Sequence, residues 1–347
     1  MKTVYVGLSG GVDSSVSAAL LKEQGYKVVG VYMKNWSRDL PGFPCPWKED
    51  YQDAKRVAVQ LGIDFKMFDF ETDYFNLVVQ YMLDGFTAGS TPNPDIMCNQ
   101  EIKFKLFLEA ALADGADFIA TGHYAQTTSG KLLMAHDTNK DQTYFLYRVT
   151  EAALQKTLFP VGGFTKPQVR ALAAKFQLVT AAKKESMGIC FVGKVGIKEF
   201  LQQFLPPQVA GDIKNQFGMT IGQHDGAVFY TIGQRHGLSV GGGLPYYVTG
   251  KDMAKNEVYV TTDLNDAKLW NDHIEITSAH WINSEPAGAG LVVRTRHRGP
   301  LQPVTSFEKL KSGNRLLHLK DPLRALTPGQ SAVLYQDSVC IGGGIIC

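Results

Sequence analysis

The chain has 347 residues, 44% of them hydrophobic and 20% charged, which suits about two or three globular domains and excludes a disordered or low-complexity chain. A formal net charge of +2 excludes nucleic-acid binding by bulk charge, so any RNA site must be a local basic patch. No apolar run approaches the roughly 18 residues of a membrane span, and Met1 to Gly10 carries one lysine and no signal-like apolar core, so a cytoplasmic location is expected. The five cysteines, Cys45, Cys98, Cys190, Cys340 and Cys347, have no paired metal-ligand spacing, and their odd number argues against a secreted disulfide framework.

In chain order, Val4, Tyr5 and Val6 predict a first strand, and Val16, Ala18, Ala19, Leu20 and Leu21 a helix. Between them lies Gly7, Leu8, Ser9, Gly10, Gly11, Val12, Asp13, Ser14. Gly10 and Gly11 permit positive φ and close approach of a ligand, while Asp13, Ser14 and Ser15 are expected to cap the helix. Free N–H groups at the positive end of a helix suit an anion. The spacing is neither that of a Walker A loop nor the three-glycine dinucleotide fingerprint. The pattern Ser, Gly, Gly, any residue, Asp, Ser instead resembles the PP-loop of the ATP pyrophosphatases, which implies a grip on the pyrophosphate of ATP and adenylation of a substrate oxygen.

Strands are predicted over Lys27 to Met33, Asp64 to Phe70 and Ala116 to His123, with helices over Glu49 to Leu61, Tyr74 to Phe86 and Ile102 to Leu112. This alternation reads as a doubly wound parallel sheet, Rossmann-like, with Met33 and Gly122 at strand ends on the edge carrying the glycine loop. The segment Thr91, Pro92, Asn93, Pro94, Asp95, Ile96, Met97, Cys98 is stiffened by two prolines and delivers Cys98 near a helix start, where a thiol is the better nucleophile; buried packing is the alternative. Lys183 and Lys184 precede Ser186, Met187, Gly188, Ile189, Cys190, so Cys190 has nearby positive charge and a flexible turn.

Beyond Phe191 the pattern changes. Ile197 to Leu205 reads as a short helix, and glycine-punctuated strands follow, including Val228 to Gly237 and Tyr246 to Thr262. Five short strands, Ile274 to Trp281, Leu291 to His297, Arg315 to Leu319, Ser331 to Tyr335 and Val339 to Ile346, suggest a small closed barrel. The expected organisation is a catalytic domain over 1–200, a small β-rich domain over 201–272 and a C-terminal β-barrel over 273–347. The last region carries eight Lys or Arg against five Asp or Glu. Arg294, Arg296 and Arg298 alternate along a predicted strand, so they are expected to share a phosphate-binding face.

SGGVDSS, TPNPDIMCNQEIKF, TGHY, NKDQTYFLY, KPQVR, SMGICF, TIGQRHGL, TRHRG and TPGQSAVLY followed by GGGII occur in this order from residue 9 to residue 346. On these motifs the chain resembles the tRNA-specific 2-thiouridylase family; Met187 and Glu185 depart from the threonine and aspartate frequent there. The resemblance implies that Gly7 to Ser14 hold ATP phosphates, with magnesium, and that Met33 and Gly122 flank adenine and ribose. It implies a persulfide on Cys190, received from a donor protein, and a nucleophile at Cys98, the two ending in a transient disulfide. Asn93, Pro94 and Asp95 would contact the target base of the tRNA, Asp95 also being a candidate acid or base. His123, Lys140, Asp141, Gln142, Arg296, His297 and Gln330 match tRNA-contacting positions. Two other classes fit less of the chain: an amide-forming ligase would leave two loop-borne cysteines idle, and a non-catalytic RNA-binding module would leave the ATP loop without work.

Overall fold

A computed structural model describes residues 1–184, 195–238, 240–241, 243–287 and 290–347. Cys190, with Glu185 and Met187, lies outside the described residues.

The first sheet contains β1 (Thr3–Gly7), β2 (Lys27–Lys34), β3 (Asp64–Asp69) and β4 (Phe118–Ala120), with helices α1 (Val12–Glu23) and α2 (Trp47–Leu61) among its connections. β2 reads as a continuous apolar run because helices cover both its faces, whereas β3 is an edge strand and half exposed. α2 stops where Gly62 takes the left-handed conformation, at φ 57°. The helices predicted over Tyr74 to Phe86 and Ile102 to Leu112 are longer, running over 71–87 and 94–113, and each contains a π-helical stretch, Phe75–Val79 and Cys98–Leu106. The second begins at Pro94 because Asn93 accepts a hydrogen bond from Asp95 N–H at 3.1 Å and proline is tolerated in a first turn.

The hairpin β5 (Gln126–Thr128) and β6 (Lys131–Leu133) follows, then β7 (Thr157–Leu158), which completes a parallel sheet of order β3-β2-β1-β4-β7. The strand order reverses between β1 and β4, and the crevice outside the carboxyl ends of these two strands is where such sheets bind ligands.

A helix, Ile197–Phe204, leads into a four-stranded sheet of β8 (Gly211–Lys214), β9 (Thr220–His224), β10 (Tyr247–Asp252) and β11 (Glu257–Thr261), packed on Ile213, Val248, Val258 and Val260. Val228 to Gly237, expected as strand, holds a short 3-10 turn at Ala227–Phe229 instead. The barrel then forms from β12 (Trp270–Trp281), β13 (Leu291–Arg294), β14 (Gln302–Lys309), β15 (Arg315–Arg324), β16 (Ser331–Gln336) and β17 (Val339–Ile346). It closes through β12–β17 pairing around Ile274, Ile276, Val293, Leu317 and Leu334. β14 was not legible in the sequence, since Pro303 and its scattered polar residues hide the strand pattern.

The barrel is joined to the first domain. β6 pairs with β17, setting Leu132 opposite Cys340 and extending the barrel sheet by a hairpin from the catalytic region. Tyr144 donates from its hydroxyl to the carbonyls of Thr295 and Ser331, both at 3.1 Å, and the Tyr147 hydroxyl meets that of Ser331 at 3.1 Å.

Candidate active site

At the end of β1 the chain turns through Gly10 at φ 74°, and a Cβ there would lie 2.5 Å from the carbonyl oxygen of Asp50. Only glycine fits this turn without moving backbone. The expected side-chain cap is absent: Gly11 occupies the cap of α1, and the Ser14 and Ser15 hydroxyls donate back to its carbonyl at 3.1 and 2.8 Å. With no side chain among the described residues accepting from them, the first N–H groups of α1 are open to an anion. Gly122, beyond β4, packs directly on this start, since a Cβ on it would lie 2.6 Å from the Ser14 nitrogen. Gly10 thus lets the loop pack on α2, and Gly122 lets the chain beyond β4 pack on the start of α1.

A cavity of about 400 Å³ opens there, lined by Gly7 to Ser9, Gly11 to Ser14, Met33, Gly122, His123, Lys140, Gln142, His297 and Arg298, among others. Residues expected to serve ATP and residues expected to serve RNA therefore share one cavity, and the barrel supplies part of its wall. Asp13 is held by Lys166, whose ammonium lies 2.8 Å from both carboxylate oxygens, and by the Tyr124 hydroxyl at 2.9 Å.

His123 hydrogen-bonds Thr121 at 2.8 Å through Nδ1 and packs against Phe104 and Phe159. Burial, and then the nearby Lys103 ammonium, hold its pKa well below the ordinary imidazole value. His297 stacks on Phe145 with centroids 4.6 Å apart; burial, then Arg298, lowers its pKa also. Gln142 is tied to the backbone, its side-chain oxygen accepting from Tyr124 N–H at 2.9 Å.

The remaining expected positions divide. Asp141 is 1% exposed, accepting from Ala135 N–H at 3.0 Å, Thr143 Oγ1 at 2.8 Å and Arg294 Nη1 at 2.8 Å. The shared arginine face does not form: β13 ends at Arg294, which is buried against Asp141, and Arg298 lies beyond the strand at φ 60°. Arg296 is exposed, with one guanidinium nitrogen donating to Ala325 O at 2.6 Å. Gln330 donates to Thr91 O at 2.7 Å, and Thr91 N–H donates to Pro328 O at 2.8 Å, so the barrel clamps the loop before Asn93, Pro94 and Asp95. Cys98 is 0% exposed, one turn inside the 94–113 helix rather than at its open end. Cys340 is also buried, which pushes its thiol pKa up.

Three family models match in succession, described as a tRNA methyl transferase HUP domain over residues 2–194, a tRNA methyl transferase PRC-barrel domain over 198–262 and an aminomethyltransferase beta-barrel domain over 271–346. The tRNA-specific 2-thiouridylase MnmA of Shouchella clausii is 47% identical over 350 residues, 99% of this chain and 96% of that protein. Its counterpart in Bacillus licheniformis is 48% identical over 353 residues, 99% and 94% of the two chains. The chain belongs to the tRNA-specific 2-thiouridylase family. A solved 4-thiouridine synthetase–RNA complex with bound ATP is a distant likeness, with 18% identity and a TM-score of 0.39 over 58% of this chain and 50% of that one.

Sequence reasoning passed over several residues that line the cavity of this 2-thiouridylase: Asn35, Trp47, Lys103, Tyr124 and Lys166. Tyr124 and Lys166 stand in the TGHY and KPQVR motifs, which was the available signal. Among the described residues of this family member, no group of three or more His, Cys, Asp or Glu side chains is placed to hold a metal, and no helix is long and apolar enough to cross a membrane. Magnesium carried by nucleotide phosphates needs only about one or two protein carboxylates, and Asp13 is the one standing in the loop.

Proposed function

We propose that this 2-thiouridylase uses ATP to replace the C2 oxygen of a wobble uridine in tRNA by sulfur. The observation that carries the reading is the single cavity shared by the anion-binding loop, Gly122, Lys140 and the barrel residues His297 and Arg298. Phosphates of ATP would sit on the open N–H groups of α1, with Met33 and Gly122 beside adenine and ribose. Once parted from each other, Lys166 would neutralise charge on the departing pyrophosphate and Asp13 would help hold the magnesium that shields it. The uridine C2 oxygen attacks the α-phosphorus and pyrophosphate leaves. This makes C2 electrophilic and gives it AMP as leaving group.

The terminal sulfur of a Cys190 persulfide, supplied by a donor protein, then attacks C2 and AMP departs. Cys98 attacks the Cys190 sulfur, releasing 2-thiouridine and leaving a Cys98–Cys190 disulfide for an external thiol to reduce. Because Cys98 is fully buried, this step requires the start of the 94–113 helix to open. The uridine must leave its stack, and Asn93, Pro94 and Asp95 form the loop proposed to receive it. Lys140, Gln142, Arg296, His297 and Gln330 are proposed tRNA neighbours, some through the loops they hold, and the site of action is proposed to be the cytoplasm. The matched methyl transferase descriptions name a different group transfer; full-length relatives named as thiouridylases and an ATP-type loop favour thiolation.

The test is chemical. A persulfide donor should add one sulfur to the Cys190 peptide of Cys98→Ser protein, and Cys190→Ser should stop 2-thiouridine formation while tRNA adenylation continues. Label on Cys98 alone would exchange the two roles, and label on neither would refute the persulfide route.

A further inference from the structure

Asn35 follows β2 directly and is 1% exposed. Among the described residues, neither its side-chain oxygen nor its side-chain nitrogen has a hydrogen-bond partner. Buried amides are nearly always paired, so an amide orphaned at both ends calls for an explanation. The residue lines the cavity described above, two positions beyond Met33, and Pro46 and Trp47 line the same cavity. The lining thus combines apolar surface with a residue whose covered amide keeps one orphaned donor and one orphaned acceptor. A planar heterocycle with a donor and an acceptor adjacent on one edge satisfies both demands, and adenine, with its exocyclic amine next to a ring nitrogen, is such a ring.

We propose that Asn35 reads the edge of adenine, accepting from the exocyclic amine and donating to the adjacent ring nitrogen. The proposal rests on the reading of this cavity as an ATP site and adds to it the residue that recognises the base. The phosphates lie on the loop at Gly11 to Ser14, and Met33, against which a Cβ on Gly7 would press at 2.9 Å, stands between that loop and Asn35 along the chain.

The experiment is calorimetric binding to the full-length protein of ATP and of purine riboside triphosphate, which lacks only the exocyclic amine. The wild type should bind the analogue about 5- to 100-fold more weakly than ATP, the range expected of a bidentate amide–adenine pair. Asn35→Ala should weaken ATP by a similar factor and bind both nucleotides equally. Asn35→Asp, nearly isosteric, should weaken ATP and narrow its advantage over GTP, because a carboxylate only accepts and the guanine edge offers two donors. Unchanged ATP affinity in either folded variant, with wild-type discrimination retained, would overturn the role of Asn35 while leaving the ATP site standing. A wild type that binds no ATP would overturn both. A loss confined to the KM for tRNA would also overturn the proposal, assigning the amide to the uridine edge instead.

Discussion

Asp141→Ala is expected to cost stability rather than RNA affinity. Its carboxylate takes a backbone N–H, a hydroxyl and a guanidinium inside the junction between the catalytic region and the barrel. The side chains of Asp141 and Arg294 are 0% and 8% exposed. Removing one member of a buried pair leaves the other charge without compensation, at about 3–5 kcal/mol. Arg294 is poorly placed to recover, since its Nε already lacks a partner among the described residues. At the roughly 2 °C per kcal/mol of a large chain, Tm should fall by about 6–10 °C. Replacing both residues, as Asp141→Leu with Arg294→Met, should cost less than the single change, because no buried charge then remains. Differential scanning fluorimetry and urea titration read the stability, and filter binding reads tRNA affinity. A folded Asp141→Ala protein of normal Tm and selectively weakened tRNA binding would refute this account and make Asp141 a direct RNA contact.

Gly122→Ala should abolish ATP-dependent adenylation, because the added methyl meets backbone at Ser14 rather than a movable side chain; normal ATP consumption with tRNA would argue against the packing described. Arg296→Ala should weaken tRNA binding and reduce the slope of log affinity against log salt by about one, with an unchanged slope removing Arg296 from the RNA surface. Acidification should destabilise the fold below the ordinary imidazole pKa of 6.5. Burial lowers His123, His224, His280 and His297 in the folded state, so the unfolded chain binds protons first and stability falls as pH drops through and below 6.5. Tm should be lower at pH 5.5 than at pH 7.5, with a smaller drop in His123→Gln; a flat profile over that window would contradict the assignment.

Local pattern alone determined the strand, glycine turn and helix at Gly7 to Ser14, the parallel character of the first sheet, and a barrel at the C-terminus. Apolar periodicity and glycine stereochemistry act over a few residues, so they are written in the chain. The family resemblance marked Met33, Gly122, Asn93 to Asp95 and the two cysteines as expected site residues, of which Met33 and Gly122 line the cavity. Tertiary structure decided what no window of sequence contains. It buried Arg294 on Asp141, because strand β13 ended early and its last side chain met a carboxylate 153 residues away. It added the β5–β6 hairpin to the barrel, placed Lys166 on Asp13, and left the amide of Asn35, a cavity-lining residue, without a partner among the described residues. Each of these depends on which distant segment arrives opposite a side chain. Burial and partner choice are set by that arrival, and residue type fixes only what a partner must offer.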